Sequence, residues 1–186
     1  AMSIIDNEGA PTVASVTADT QVEGASLVHT VTLSGVSAVA TTHAFSLGGG
    51  SASAGLDYST AVVFSDGVTL SGGVLTVPAG VSSFTVTVPT ILDTVDEGAS
   101  ETYNITVGGA SNVGTITDDD NAPTVSSVTA DTQLEGTSLV HTVTLSNASS
   151  VATSYAFTLG GGSATSGTDY NATPTFSNGV TYNAVA

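Results

Sequence analysis

From Ala10 to Leu70 the chain is written twice: Pro11 falls on Pro123, and in that register residues 10–70 match residues 122–182 at roughly two-thirds of positions without a gap. Ser-Val-Thr-Ala-Asp-Thr-Gln recurs intact from Ser15 and from Ser127, and Leu-Gly-Gly-Gly-Ser-Ala from Leu47 and from Leu159. Whatever residues 10–121 fold into must therefore be a module that can follow itself through a short joint. The same register puts Ile4-Ile5-Asp6 on Ile116-Thr117-Asp118, so residues 1–9 read as an expression scar (Ala1-Met2-Ser3) and the tail of a preceding copy. Residues 122–186 read as a truncated second copy, expected to hold strands A to C and a ribbon only.

Within residues 10–121, apolar residues alternate with Ser and Thr, and Gly, Pro, Asp and Asn punctuate the runs. That is the pattern of half-buried strands, and no stretch has helical spacing. The expected fold is an all-β, Ig-like antiparallel sandwich of about seven strands. Strand A, near Thr12–Thr17, slips in phase between Val13 and Val16, as at a kink or a change of sheet. Strand B turns Leu27, His29, Val31 and Leu33 inward, C turns Phe45 and Leu47, E turns Phe84, Val86 and Val88, and F turns Tyr103, Ile105 and Val107. Between C and D, Val62–Phe64 and Val68–Leu70 flank Ser65-Asp66-Gly67, which predicts an inserted two-stranded ribbon closed at the Asp-Gly pair.

Strand parity sorts the loops. If neighbours run antiparallel and the ribbon returns to its starting side, the A–B, C–D and E–F loops share one end with the exit of G. All acids of the module except Asp66 then gather there: Asp19, Glu23, Asp57, Asp93, Asp96, Glu97, Glu101 and Asp118-Asp119-Asp120. The chain has 16 Asp and Glu and neither Lys nor Arg, for a net charge of -16, so no fixed cation neutralises them. Two carboxylates about 6 Å apart repel by roughly 3 kcal/mol at an effective dielectric near 20, and several such pairs would use up an ordinary domain stability of about 5–15 kcal/mol. Hard oxygen donors without His or Cys suit Ca²⁺, and Mg²⁺ less well, since it is smaller and sheds water reluctantly. The same charge excludes nucleic acid and direct attraction to an anionic membrane surface. With no cysteine, metal rather than disulfides would have to supply extra stability. No signal peptide and no apolar run of membrane-spanning length is found.

These residues resemble a Calx-beta domain, the calcium-binding β-sandwich of sodium-calcium exchangers and of tandem extender repeats in large bacterial RTX-type adhesins. The resemblance rests on Val22-Glu23-Gly24, on Gly50-Ser-Ala-Ser-Ala-Gly-Leu-Asp-Tyr58, on Ile91-Leu-Asp-Thr-Val-Asp-Glu-Gly98 leading to Glu101-Thr-Tyr103, and on Gly114-Thr-Ile-Thr-Asp-Asp-Asp120. It implies calcium ligands at Glu23, Asp57, Asp93, Glu101, Asp118, Asp119 and Asp120. Asp96 joins the expected metal set, while Asp19 and Glu97 stand between ligation and local bonding to their own backbone. Thr94 and the ribbon depart from the family pattern. Asp131, Glu135 and Asp169 repeat three of the acids, but the other ligands have no counterpart in the second copy, and Asp6 corresponds to Asp118.

The resemblance implies a calcium-stabilised extender of an extracellular, bacterial cell-surface adhesin, whose partners are calcium ions and adjacent repeats. The alternatives are a regulatory calcium-sensing domain, or a sugar- or protein-binding accessory module, which would want exposed aromatic residues in a chain with no Trp. His29 and His141 are expected in cores, and His43 is Tyr155 in the other copy. No catalytic motif is present and no enzyme activity is expected. The truncated copy would expose its inward faces, which predicts strand exchange with another copy.

Overall fold

The computed structural model describes residues 9–183; Ile4, Ile5 and Asp6 lie outside them. The chain divides into one unit of residues 1–124 together with 146–151, and a second of residues 125–145 and 152–186. In chain order the first unit forms β1 (Val13–Val16), β2 (Asp19–Val22), β3 (Ser26–Leu33), β4 (Thr41–Gly48), β5 (Val63–Phe64), β6 (Thr69–Ser71), β7 (Val74–Val77), β8 (Ser83–Pro89), β9 (Val95–Asp96), β10 (Glu101–Val107) and β11 (Ala110–Thr117). No helix occurs among the described residues. One sheet has the order β1-β3-β8-β5 and the other β2-β11-β10-β4-β7-β6.

The alternating faces close on each other as a sandwich. Leu27, Val31, Phe84, Val86 and Val88 of one sheet meet Leu75, Val77, Tyr103, Ile105 and Val107 of the other, and all are buried. His29 is also fully buried. Its Nδ1–H donates to the Thr17 carbonyl at 2.8 Å, which leaves Nε2 to accept the Tyr103 hydroxyl at 2.8 Å. The imidazole is satisfied at both nitrogens, which leaves neither free to bind a metal.

One local reading is resolved and two change. The phase slip in strand A is a change of sheet: β1 pairs antiparallel with β3 through a bulge, and the chain then crosses to run β2 parallel to β11. Asp19 therefore lies in a strand rather than in the A–B loop. The predicted ribbon does not pair with itself. Val63–Phe64 joins β8, whereas Thr69–Ser71 forms a hairpin with β7 through Gly72-Gly73, so each half extends a different sheet. Asp66 and Gly67, with φ of 54° and 71°, still make a turn, but one that crosses between sheets. Phe64 explains the split, because its ring packs edge-on against Phe45 at 5.6 Å, an aromatic contact that a free-standing ribbon would forfeit.

In the second unit β12 (Val125–Val128) pairs with β13 (Val143–Leu145) in the register of β1 and β3, bulge included. Residues 152–159, the expected strand C, form no strand, and the counterpart of the ribbon forms none either. The counterparts of β8, β10 and β11 are not in the sequence, so these stretches lack ladder partners. Leu139, Val143 and Leu145, whose counterparts Leu27, Val31 and Leu33 are buried in the first unit, are exposed for the same reason. His141, expected in a core, is exposed as well: it keeps the bond to Thr129 O at 2.7 Å but has no counterpart of Tyr103 to cover it.

Candidate metal centre

Because β2 and β11 are parallel, Glu23 and Asp118 leave their strands at the same end of the first unit, and Glu23 N donates to Thr117 O at 3.1 Å. β10 begins there too, with Glu101 opposite Ile116. The loop after β4 is drawn onto β10, where Ala52 N donates to Thr102 O at 2.8 Å, and Gly50 has no room for a side chain against that same carbonyl. This brings Asp57 to the pole, where its carbonyl accepts Ile91 N at 2.9 Å and its carboxylate accepts the Ser53 amide. The loops that strand parity grouped are the ones the backbone ladder brings together.

Two sets of carboxylates form. Glu23, Asp119 and Asp120 make one, and Asp57, Glu97 and Glu101 the other; within each, one oxygen per residue lies within 4.8 Å of the rest. Oxygens bound to one Ca²⁺ at about 2.3–2.6 Å can be no more than ~5 Å apart, so both sets fit within such a shell. Glu23 Oε1, Asp120 Oδ2 and Glu101 Oε2 are buried without any hydrogen-bond partner. An ionised carboxylate is acceptor-only, and burying an acceptor oxygen unsatisfied is costly. These three oxygens therefore call for a donor that the protein does not provide, and a hard divalent cation meets that need.

The protonation equilibria show the same strain. Burial, a hydrogen bond shared with Asp119 and the charge of Asp93 push the Glu23 carboxyl up to about 7. Burial, together with the bond to and the charge of Asp57, pushes Glu101 up to about 7. Glu97 is raised by burial and by the charges of Asp57, Asp93 and Asp118, and Asp120 by burial and its two Asp neighbours. Without a cation, protons partly fill its role.

The remaining expected ligands lie outside these two sets. Asp118 holds the joint: Oδ2 accepts Glu97 N at 2.8 Å and Gly98 N at 3.1 Å, and Oδ1 accepts Asp120 N at 2.8 Å. Asp93 caps its own loop by accepting Val95 N at 2.7 Å. Asp96 is buried with both oxygens engaged, Oδ1 by Gly98 N at 3.1 Å and Oδ2 by Ser149 Oγ at 2.7 Å. Asp19 is away from the pole, accepting Thr20 N at 2.8 Å and Val28 N at 2.7 Å, and Asp131 makes the same pair of bonds to Thr132 N and Val140 N. Glu97, which the sequence left between ligation and local bonding, joins the second set, where the Asp118 carboxylate holds its amide and that of Gly98. Asp131, Glu135 and Asp169 enter no comparable set among the described residues.

Fold and site together define a β-sandwich with an acidic end whose two carboxylate sets could hold metal ions. No family model matches the sequence, and no curated protein matches it. Among solved structures the chain is similar to the calcium binding domain CBD12 of CALX1.1, with 21% identity and a TM-score of 0.43, over 59% of this chain and 46% of that one. The chain thus spans under half the length of that protein, and the case for a cation rests on the carboxylates above.

Proposed function

We propose that the first unit is a calcium-binding β-sandwich serving as a structural extender in a tandem array on an extracellular bacterial adhesin. The observation that supports it most is the set of three partnerless buried carboxylate oxygens at the end where β11 leaves for the next copy. Glu23, Asp119 and Asp120 would hold one ion, and Asp57, Glu97 and Glu101 another. The bound charge would remove the repulsion that opposes folding of this end, and it would tie the joint at Asp118-Asp119-Asp120 to the loops of its own module. Duplication of the module favours a mechanical role, since a spacer gains from copies of itself.

Calorimetric titration of calcium into the full chain tests the reading. Binding specific for calcium over magnesium is expected. Glu23→Gln and Glu101→Gln should each weaken one class of site by at least the 10–100-fold typical of losing even an outer support of a metal. A chain that takes up no calcium at neutral pH would end the proposal, and an affinity far tighter than millimolar would shift it towards a sensor.

A further inference from the structure

We propose that the loop Val36–Val39 of the first copy is a docking edge, and that its occupant is the β9 strand of a preceding copy of the same module. This rests on the tandem reading above, although not on its calcium.

The docked form of the edge is visible once in the chain. Residues 146–151 belong to the second copy by sequence but to the first unit by structure, and they include β14 (Ala148–Ser149), which pairs in parallel with β9. Ala148 lies opposite Val95 and Ser149 opposite Asp96. Ser150 N donates to Asp96 O at 2.9 Å, and Ser149 Oγ donates to Asp96 Oδ2 at 2.7 Å. The Val151 methyls cover Gly98 so closely that a Cβ there would come within 3.1 Å of Val151 Cγ2. β9 thus receives a short strand, a hydroxyl and an apolar cap.

The counterpart of residues 146–151 in the first copy is residues 34–39. Three of the six are identical, Ser34, Ser37 and Val39, and two of these match the side chains that engage β9, Ser149 and Val151. Two local hydrogen bonds are the same. Ser34 Oγ accepts Thr12 N at 3.0 Å just as Ser146 Oγ accepts Thr124 N at 3.0 Å, and Ser37 Oγ accepts Val39 N at 3.2 Å just as Ser149 Oγ accepts Val151 N at 3.2 Å. The edge is therefore preformed, and little ordering entropy stands against its docking. Yet Val36 and Val39 are 64% and 69% exposed, against 42% for Val151. Residues 36–39 also line a shallow concavity with Gly9, Ala10 and Pro11, the residues through which a preceding copy would enter. One module thus carries both halves of a repeating contact: β9 near its exit, and residues 34–39 beside its entrance.

The test lengthens the chain at its front by one further copy of residues 10–121, so that Asn121 again precedes Ala10 as it precedes Ala122. Amide hydrogen exchange at Ala38, the counterpart of Ser150, is compared between the 186-residue and the lengthened chain. Slowing of at least tenfold on lengthening is expected, and Val39→Asp in the lengthened chain should abolish it while amides of β3 and β8 stay protected. Equal exchange at Ala38 in the two chains overturns the proposal. A second variant keeps the question open to refutation if the lengthened chain folds poorly. Asn147→Gly, Ala148→Val and Ser150→Ala together convert residues 146–151 into the first-copy edge, and loss of protection at amide 150 would show that this edge cannot dock. Calcium uptake is read separately, so failure of docking and failure of metal binding are distinguishable.

Discussion

Stripped of metal, the first unit is expected to melt higher at pH 5 than at pH 8, and saturating calcium is expected to reverse that order. Glu23 and Glu101 ionise at about 7 in the folded state, against an ordinary value of 4.5. A folded-state value above the unfolded one means that the native state holds its protons more tightly. The stability this contributes is complete below about 4.5 and is lost as pH rises through about 7. Glu97 shifts in the same direction. Asp19 shifts the other way: burial works against the charged form, but the amides of Val28 and Thr20 outweigh it, so its contribution is lost only as pH falls below about 4, outside this window. Each pK unit is worth up to about 1.4 kcal/mol before solvent screening, and even ~1 kcal/mol moves the melting temperature of a domain this size by about 4 °C. Calcium competes with those protons, and at ~100 times its dissociation constant each ion adds about 2.7 kcal/mol, most where the carboxylates are ionised. Circular-dichroism melts across pH 5–8, with and without calcium, check both slopes. A melting temperature that climbs with pH in the stripped protein would show that the acidic end is not crowded as described.

The second large effect is expected from a single methyl group. Gly114, on β11, faces the ring of Tyr103, and a Cβ there would lie well under 3.0 Å from Cζ and Oη. Tyr103 cannot retreat. It is fully buried, stacked against Tyr58 at 4.8 Å and bonded to His29, so a displaced ring would also orphan a buried imidazole nitrogen. Overpacking of this kind costs about 1–3 kcal/mol and an unsatisfied buried nitrogen about 1–3 more. Gly114→Ala should therefore cost roughly 3 kcal/mol or more in urea unfolding. Gly35→Ala is the matched control, since a Cβ at Gly35 meets nothing within 4 Å, and it should stay within about 0.5 kcal/mol of the parent. Equal effects at the two positions would contradict the packing around Tyr103.

Strands with unbroken period two were legible residue by residue. The inward faces of β3, β8 and β10 are those read from alternation, because a strand buried on one face writes its orientation into every second residue. The acidic end was legible for a different reason: parity of antiparallel strands is a counting argument and survives errors in strand ends. What alternation cannot carry is the partner. Val63–Phe64 reads the same whether it pairs with Thr69–Ser71 or with β8, and β2 reads as a loop because its place in the sheet is set by β11, far along the chain. The bonds of individual acids are set in the same way: backbone amides reach Asp19 and Asp96, and Ser149 reaches Asp96. Glu97 enters a carboxylate set with Asp57, which lies far from it along the chain, and with Glu101 on β10, a proximity that its own loop does not signal.

The parallel pairing of β2 with β11 has a mechanical consequence. β2 follows directly on β1, the first strand of the module, and β11 is the last; β2 and β11 run side by side over four residue pairs, from Asp19 with Gly114 to Val22 with Thr117. Tension that passes β1 draws Asp19 backward and Thr117 forward, so the ladder between them is sheared. Sheared rungs share the load and must fail together, whereas an antiparallel hairpin pulled from its open end yields one rung at a time. Single-molecule pulling from residues 10 and 121 should accordingly give a higher rupture force than pulling across the β10–β11 hairpin. Were such modules strung in series, the same geometry would make each one a link that resists stretch along the chain.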